Sequence, residues 1–326
     1  METIRWGIIG CGDVTEVKSG PAFYKVPGSA LVAVMRRDED KVKDYARRHK
    51  VSKWYTDAGQ LIADPEVNAV YIATPPSSHL EYALAAIEAG KPVYLEKPMT
   101  LNAGEAKKIK DACNTNHVKL TVAHYRRAQP LFRKLRELIN EKAIGDIRYV
   151  QLEFNKQRMN ETDLQKSGNA WRVDPKVAGG GLFNDLAPHQ LDIIYYLFGD
   201  AEKISAIAAK QGGVYNASDM ISAAILLNDQ IVFNGTWCFS AAATLEKDEC
   251  RIVGDKGSIR FSFFAQQPLV LEIKGQVQEF SFESLQHVQQ PMIEEVVRYF
   301  GGQGGNPCSA EEGYAVMKWI DRINGN

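Results

Sequence analysis

The chain has 326 residues, 45% of them hydrophobic and 24% charged, with 39 basic and 40 acidic side chains and a formal net charge of −1. That length predicts about two domains, and the near-neutral balance gives no electrostatic reason to expect nucleic acid or an anionic membrane as partner. No apolar run approaches the ~20 residues of a bilayer span, the opening residues lack a signal-peptide core, and five scattered cysteines without CxxC spacing suggest neither a disulfide framework nor a zinc site, so a cytoplasmic protein with no metal is expected.

Ile4 to Ile9 reads as a short apolar strand that runs straight into Gly10-Cys11-Gly12-Asp13-Val14-Thr15. A strand, a GxG and a helix in that order form a dinucleotide-binding turn. Gly10 permits the tight turn, Gly12 lets the backbone approach a pyrophosphate, and the N–H groups from Cys11, Asp13 and Val14 onward face it. Thr15 stands where a third glycine or alanine would be.

The alternation continues in the order expected of a doubly wound parallel sheet. Leu31 to Met35 is a strand and Glu39 to His49 a helix. Ala69 to Ala73 is a strand and His79 to Ala89 an amphipathic helix with Leu80, Ala83, Leu84 and Ile87 on one face. Val93 to Leu95 is a strand, Ala103 to Asn114 a helix and Leu120 to Ala123 a strand. In such a sheet ligands bind outside the carboxyl ends of the strands. Four of those ends carry unusual residues.

The second strand ends in Arg36-Arg37, where an NAD site usually has an acidic residue on the ribose. Two guanidiniums favour a 2′-phosphate, so NADP is expected over NAD. Asp38 and Glu39 follow at once, and a slipped register leaves NAD open. The next strand ends in Thr74-Pro75-Pro76, which must leave the sheet, and His79 lies on the same edge. The strand after that ends in Glu96-Lys97-Pro98, a charge pair delivered into the crevice, with Pro98 biasing Lys97 toward an extended conformation. His124 follows the last strand. All these residues are candidate cofactor contacts, and the domain is bounded at residues 1–123.

Residues 124–326 read as a second α/β domain for substrate binding and oligomerisation. Pro130 opens a helix, and Ile147 to Phe154 is a strand. Asn155 to Ala178 is polar and weakly periodic but contains Trp171-Arg172. Gly179-Gly180-Gly181 then leads into a helix on which Asp185, His189 and Asp192 share a face at i, i+4, i+7. A histidine beside carboxylates is the layout of a tuned acid/base group, and equally of a core histidine bonded to a helix carboxylate.

Six β segments follow: Ile204 to Ala209, Met220 to Leu227, Ile231 to Phe239, Arg251 to Val253, Ser258 to Phe264 and Leu269 to Ile273. Without crossover helices they imply a largely antiparallel sheet. Its open face is expected to be apolar, supplied by Ile231-Val232-Phe233 and Trp237-Cys238-Phe239, and to make a homodimer or homotetramer. Helices near Pro291 to Phe300 and Ser309 to Ile323 end the chain.

Taken together, Gly10-Cys11-Gly12, Ala73-Thr74-Pro75-Pro76 with His79, Glu96-Lys97-Pro98, and the glycine run leading to Asp185 and His189 resemble the glucose–fructose oxidoreductase/inositol dehydrogenase (Gfo/Idh/MocA) family along essentially the whole chain. The resemblance implies an N-terminal Rossmann domain, a C-terminal α/β domain on an open sheet, and NAD(P)-dependent oxidation or reduction of a sugar, polyol or related alcohol. It implies that Lys97, Asp185 and His189 line the substrate pocket, with either Lys97 or His189 as the immediate proton acceptor. It also implies that the loop carrying Trp171 and Arg172 reaches the cofactor. Two other functions fit the same fold: a glycoside hydrolase holding NAD, and a non-catalytic dinucleotide-binding protein.

Overall fold

The computed structural model describes residues 2–160, 162, 170–213 and 216–325. By its contacts the chain divides into two compact units, Met1–Gln129 with Leu285–Met317, and Pro130–Ser284 with Lys318–Asn326. The return of the chain to the first unit at Leu285 is not visible from a boundary drawn at residue 123. Side chains far apart in sequence hold it there. Thr121 Oγ1 donates to Asn306 Oδ1 at 2.8 Å, Tyr94 donates to Gln289 at 3.0 Å, and Arg127 pairs with Glu312 at 2.5 Å.

The first unit is built on six strands in the order β3-β2-β1-β4-β5-β6. They are β1 Ile4–Ile9, β2 Ser29–Met35, β3 Lys53–Tyr55, β4 Ala69–Ile72, β5 Val93–Leu95 and β6 Leu120–Val122. Every pairing is parallel. Strands β4, β5 and the edge strand β6 are buried at every residue, and β4 and β5 accordingly read as unbroken apolar runs. Crossover helices begin on side-chain caps: Asp38 accepts from Lys41 N, Asp57 from Gln60 N and Asn102 from Glu105 N.

Parallel strands put all their carboxyl ends on one edge, and backbone bonds stitch that edge together. Gly10 N donates to Met35 O at 2.9 Å, Ala73 N to Ile9 O at 2.8 Å, Glu96 N to Ile72 O at 3.0 Å and Ala123 N to Leu95 O at 2.7 Å. The residues expected at the cofactor follow directly from these four stitches.

The second unit carries an eight-stranded sheet in the order β14-β13-β12-β11-β7-β10-β9-β8. Its strands are β7 Ile147–Gln157, β8 Ala201–Ala209, β9 Met220–Leu227, β10 Ile231–Ala241, β11 Lys247–Gly254, β12 Gly257–Phe261, β13 Leu269–Ile273 and β14 Gln276–Phe280. All pairings are antiparallel except β7 with β10. Helices Pro130–Asn140 and Gly181–Phe198 cover one face: Phe132 meets Phe261 at 6.1 Å, and Phe183 meets Trp237 at 5.1 Å.

Two expectations are corrected here. Phe233, Trp237 and Phe239 belong to the covered face, where all are fully buried; the open face shows Val232, Asn234, Thr236 and Cys238 instead, a mixed surface rather than an apolar one. The strand expected over Ser258 to Phe264 stops at Phe261, because the Asp248 carboxylate accepts the N–H groups of Phe263, Phe264 and Ala265 and pulls the chain out of the ladder.

Candidate active site

In the first unit the glycine turn is fixed by steric limits. Gly10 has φ +90°, and a Cβ there would stand 2.6 Å from Thr74 Cγ2, so the turn and the end of β4 require glycine. Gly12 is different. A Cβ there would meet only Gly10 O, at 3.9 Å. The protein leaves room at Gly12 that its own packing does not need, which fits a backbone kept bare for a dinucleotide. Cys11 is fully buried, and burial pushes its thiol up to about 12, so it serves through its backbone rather than its sulfur. Thr15 is buried as well, donating to Gly12 O at 2.8 Å.

Arg36 leans back onto this turn: its Nη1 donates to Cys11 O at 3.2 Å. Arg37 is exposed. The two neighbouring acids are engaged elsewhere. Asp38 caps the next helix and pairs with Lys41 at 3.0 Å, and Glu39 pairs with Lys43 at 2.6 Å.

Thr74, Pro75 and Lys97 are half-buried at the strand ends, while Pro76 is buried. Two residues expected to touch the cofactor turn inward. Glu96 is 5% exposed. Its Oε1 accepts from Tyr71 and from Gln289, each at 2.6 Å, and its Oε2 accepts from the Lys97 backbone N–H at 3.1 Å. The carboxylate thus anchors the base of Lys97. Burial and the nearby Glu96 charge push the Tyr71 hydroxyl well up.

His79 is fully buried, with Nε2 2.8 Å from Thr74 O and Nδ1 3.0 Å from Pro98 O. It braces the end of β4 against the turn that follows Lys97. Burial holds the imidazole below its ordinary range, and a neutral ring donates to one of these carbonyls at a time. His124 is 2% exposed, at the end of β6.

In the second unit, Gly181 (φ +74°) opens the helix Gly181–Phe198 where a Cβ would stand 2.5 Å from Ala217 Cβ. Asp185, His189 and Asp192 are all buried on that helix, Asp185 at 6% and His189 at 4% exposure. Arg172 Nη1 donates to Asp185 Oδ2 at 2.8 Å, and its guanidinium lies 4.6 Å over the Trp171 ring. The loop expected to reach the cofactor is therefore bonded to the expected catalytic helix. Within the polar stretch 155–178, residues 161 and 163–169 lie outside the described residues.

Sequence reasoning missed three contributors. Phe264 stands 5.7 Å from His189 with the rings at 78°, held by Asp248. Gln289 completes the Glu96 cluster. Only the aromatic pair Phe263-Phe264 carried a local signal, and it pointed to a strand. Among the described residues no group of three or more His, Cys, Asp or Glu side chains could hold a metal ion, and no helix is long and apolar enough to cross a membrane.

Residues 4–124 match the oxidoreductase family with an NAD-binding Rossmann fold, and residues 132–260 match the GFO/IDH/MocA C-terminal domain. Oxidoreductase P35 of Formosa agariphila is 48% identical over 98% of this chain and 97% of its own length. The trans-1,2-dihydrobenzene-1,2-diol dehydrogenase of Bos taurus is 30% identical over 85% of this chain and 79% of its own. The fold matches that of aldose-aldose oxidoreductase from Caulobacter crescentus, with a TM-score of 0.85 at 20% identity, covering 99% of this chain and 96% of the other.

Proposed function

Because this chain belongs to the Gfo/Idh/MocA oxidoreductase family, we propose that it transfers a hydride between a nicotinamide cofactor and a secondary alcohol, or its carbonyl, on a sugar, polyol or related small molecule. The observation that carries this reading is the end of β5. Lys97 stands on the same sheet edge as the bare backbone of Gly12, and its base is tied down by the buried Glu96 carboxylate.

The bound nicotinamide would supply the hydride donor or acceptor. His189 takes the hydroxyl proton during oxidation and returns it during reduction. Asp185 orients that exchange from one helical turn away, and its pair with Arg172 at 2.8 Å holds the carboxylate in place. Lys97 hydrogen-bonds the reacting oxygen and offsets developing alkoxide charge. Which of Lys97 and His189 receives the proton first is decided by the variants below.

NADP is the preferred cofactor in this reading. Arg36 lies against the glycine turn, and both acids that could read a ribose are held by lysines. Self-association through the open face of the C-terminal sheet, as a dimer or tetramer, belongs to the same proposal; a monomeric mass by light scattering at micromolar concentration would exclude it. The five free cysteines accord with a cytoplasmic setting.

The test is a panel of sugars, polyols and trans-diols followed by nicotinamide absorbance, with wild type, His189→Ala and Lys97→Ala. Loss of roughly 10²–10⁴ in turnover on removing His189 supports its acid/base role; near-normal turnover moves that role to Lys97. Release of sugar from glycosides with no net change in NAD(P)H would replace the dehydrogenase reading with that of a glycoside hydrolase. Tight dinucleotide binding with no turnover anywhere on the panel would leave a non-catalytic binding protein.

A further inference from the structure

The run Phe261-Ser262-Phe263-Phe264 has the composition of a strand but ends one. Asp248, on β11, accepts from Phe263 N at 3.1 Å, Phe264 N at 2.5 Å and Ala265 N at 2.9 Å. Its backbone carbonyl accepts from Ser262 Oγ at 2.6 Å. One carboxylate therefore sets the path of the whole turn. The consequence is that two adjacent aromatic residues separate. Phe263 goes into the core beside Phe132 and Phe261, at 5.6 and 5.2 Å. Phe264 goes the other way, 5.2 Å from Phe154 and 5.7 Å from His189, the last at an interplanar angle of 78°.

We propose that Asp248 is a positioning residue for His189: by gathering the N–H groups of the 263–265 turn it holds the Phe264 ring edge-to-face against the imidazole, fixing its orientation and keeping water from that side. An edge-to-face aromatic contact has a preferred geometry as well as an area, and His189 is only 4% exposed. The charged groups on its own helix and on the elements that carry its aromatic neighbours come from several parts of the unit. Asp185 and Asp192 share its helix, and Arg172 is bonded to Asp185. Lys156 of β7 lies 6.0 Å over the Phe154 ring, and Asp248 itself is on β11. The catalytic meaning of this arrangement rests on His189 acting as acid/base, as proposed above, whereas the positioning itself does not.

The sign of a titration separates positioning from plain electrostatics. A carboxylate acting through space stabilises an imidazolium, so removing Asp248 would lower the midpoint of His189. If Asp248 acts through Phe264, its removal lets the ring drift and admits water, which raises the midpoint. The experiment is a pH titration of histidine-labelled protein by NMR. The chain has six histidines, and His189→Asn identifies the resonance by its loss.

Phe264→Ala is expected to raise the His189 midpoint by roughly one unit. Asp248→Asn is expected to raise it as well, and to add nothing further in the Phe264→Ala background, since coupled changes are not additive. A fall in Asp248→Asn, or a shift that adds independently to that of Phe264→Ala, would overturn the proposal. If Asp248→Asn does not fold, Phe264→Ala and Phe264→Leu decide it: an unchanged midpoint in both overturns it. A shifted midpoint that the pH profile of kcat/KM fails to follow supports the positioning and removes His189 from the acid/base role.

Discussion

Arg172 Nη1 and Asp185 Oδ2 are 2.8 Å apart, so a residue expected at the cofactor and one expected at the substrate form a single ion pair. Their side chains are 28% and 7% exposed. The pair is worth little as a surface contact, but breaking it from the arginine side takes a charge-assisted partner from a nearly buried carboxylate. Arg172→Ala is expected to cost about 1–2 kcal/mol of stability. The urea midpoint measures this, and an unchanged midpoint would mean that the Arg172–Asp185 pair adds nothing to stability. The same variant should reduce kcat more than it raises KM if Asp185 acts in the transition state.

Glu96 predicts a split between stability and turnover. Its carboxylate accepts from Tyr71, Gln289 and Lys97 N. Removing it in Glu96→Ala leaves the Gln289 amide without this acceptor and the Tyr71 hydroxyl with only Ser19 Oγ, at 3.1 Å, to donate to, at a cost of about 2 kcal/mol. Glu96→Gln retains one acceptor oxygen, but its NH₂ must face a donor on one side or the other. Turned so as to keep Tyr71 and Gln289, it loses the tether at the base of Lys97. We expect Glu96→Gln to fold with about 1 kcal/mol lost and to lose turnover disproportionately. Equal turnover per folded molecule in the wild type and this variant would show that the tether does not position Lys97.

The local parts of this molecule were legible because their causes are local. The helix Glu39–His49 and strands β5, β9 and β13 fall where period and turn residues put them. So do Gly10, Lys97 and His189, each at a strand end or on a helix face that short-range pattern defines. What escaped depended on partners distant in sequence. Nothing near Phe263 announces that Asp248, fifteen residues earlier, will take its N–H. Nothing near Gln289 announces Glu96, 193 residues away. The alternation along β10 correctly groups Phe233, Trp237 and Phe239 on one face, but a period of two cannot say which face the helices cover. His79 and Glu96 sit on the expected edge, and only their hydrogen bonds reveal that they point inward.

Acid should act on the pair that ties residues 285–317 to the first unit. Burial alone would raise the Glu312 carboxyl, but the Arg127 guanidinium beside it and the Ser309 backbone N–H outweigh this and hold it below its ordinary 4.5. A carboxyl depressed in the folded state contributes stability above its unfolded pKa and loses it as pH falls through the folded value. Stability should therefore decline below about pH 4.5, and Glu312→Gln should flatten that decline while lowering the plateau near neutrality. Urea midpoints measured across the acid range check it, and parallel curves for wild type and variant would exclude a contribution from Glu312.

The cofactor preference turns on which side chain after β2 meets the ribose. Asp38 caps its helix through Lys41 N at 3.0 Å and Glu39 holds Lys43, whereas Arg36 spends a single N–H donor on Cys11 O at 3.2 Å, one of the five that a guanidinium carries. A guanidinium–phosphate contact is charge-assisted and is made only by the 2′-phosphate form. Arg36→Ala should weaken NADPH binding by roughly tenfold to a hundredfold and leave NADH nearly unchanged. Asp38→Ala should cost the helix about 1 kcal/mol as a lost cap without changing NADH affinity. Fluorescence titration of both reduced cofactors against the three proteins separates the cases. If wild type binds NADH as tightly as NADPH, or if Asp38→Ala weakens NADH selectively, then the acid reads the ribose hydroxyl, Arg36 serves only to brace the glycine turn, and the preference assigned here is reversed.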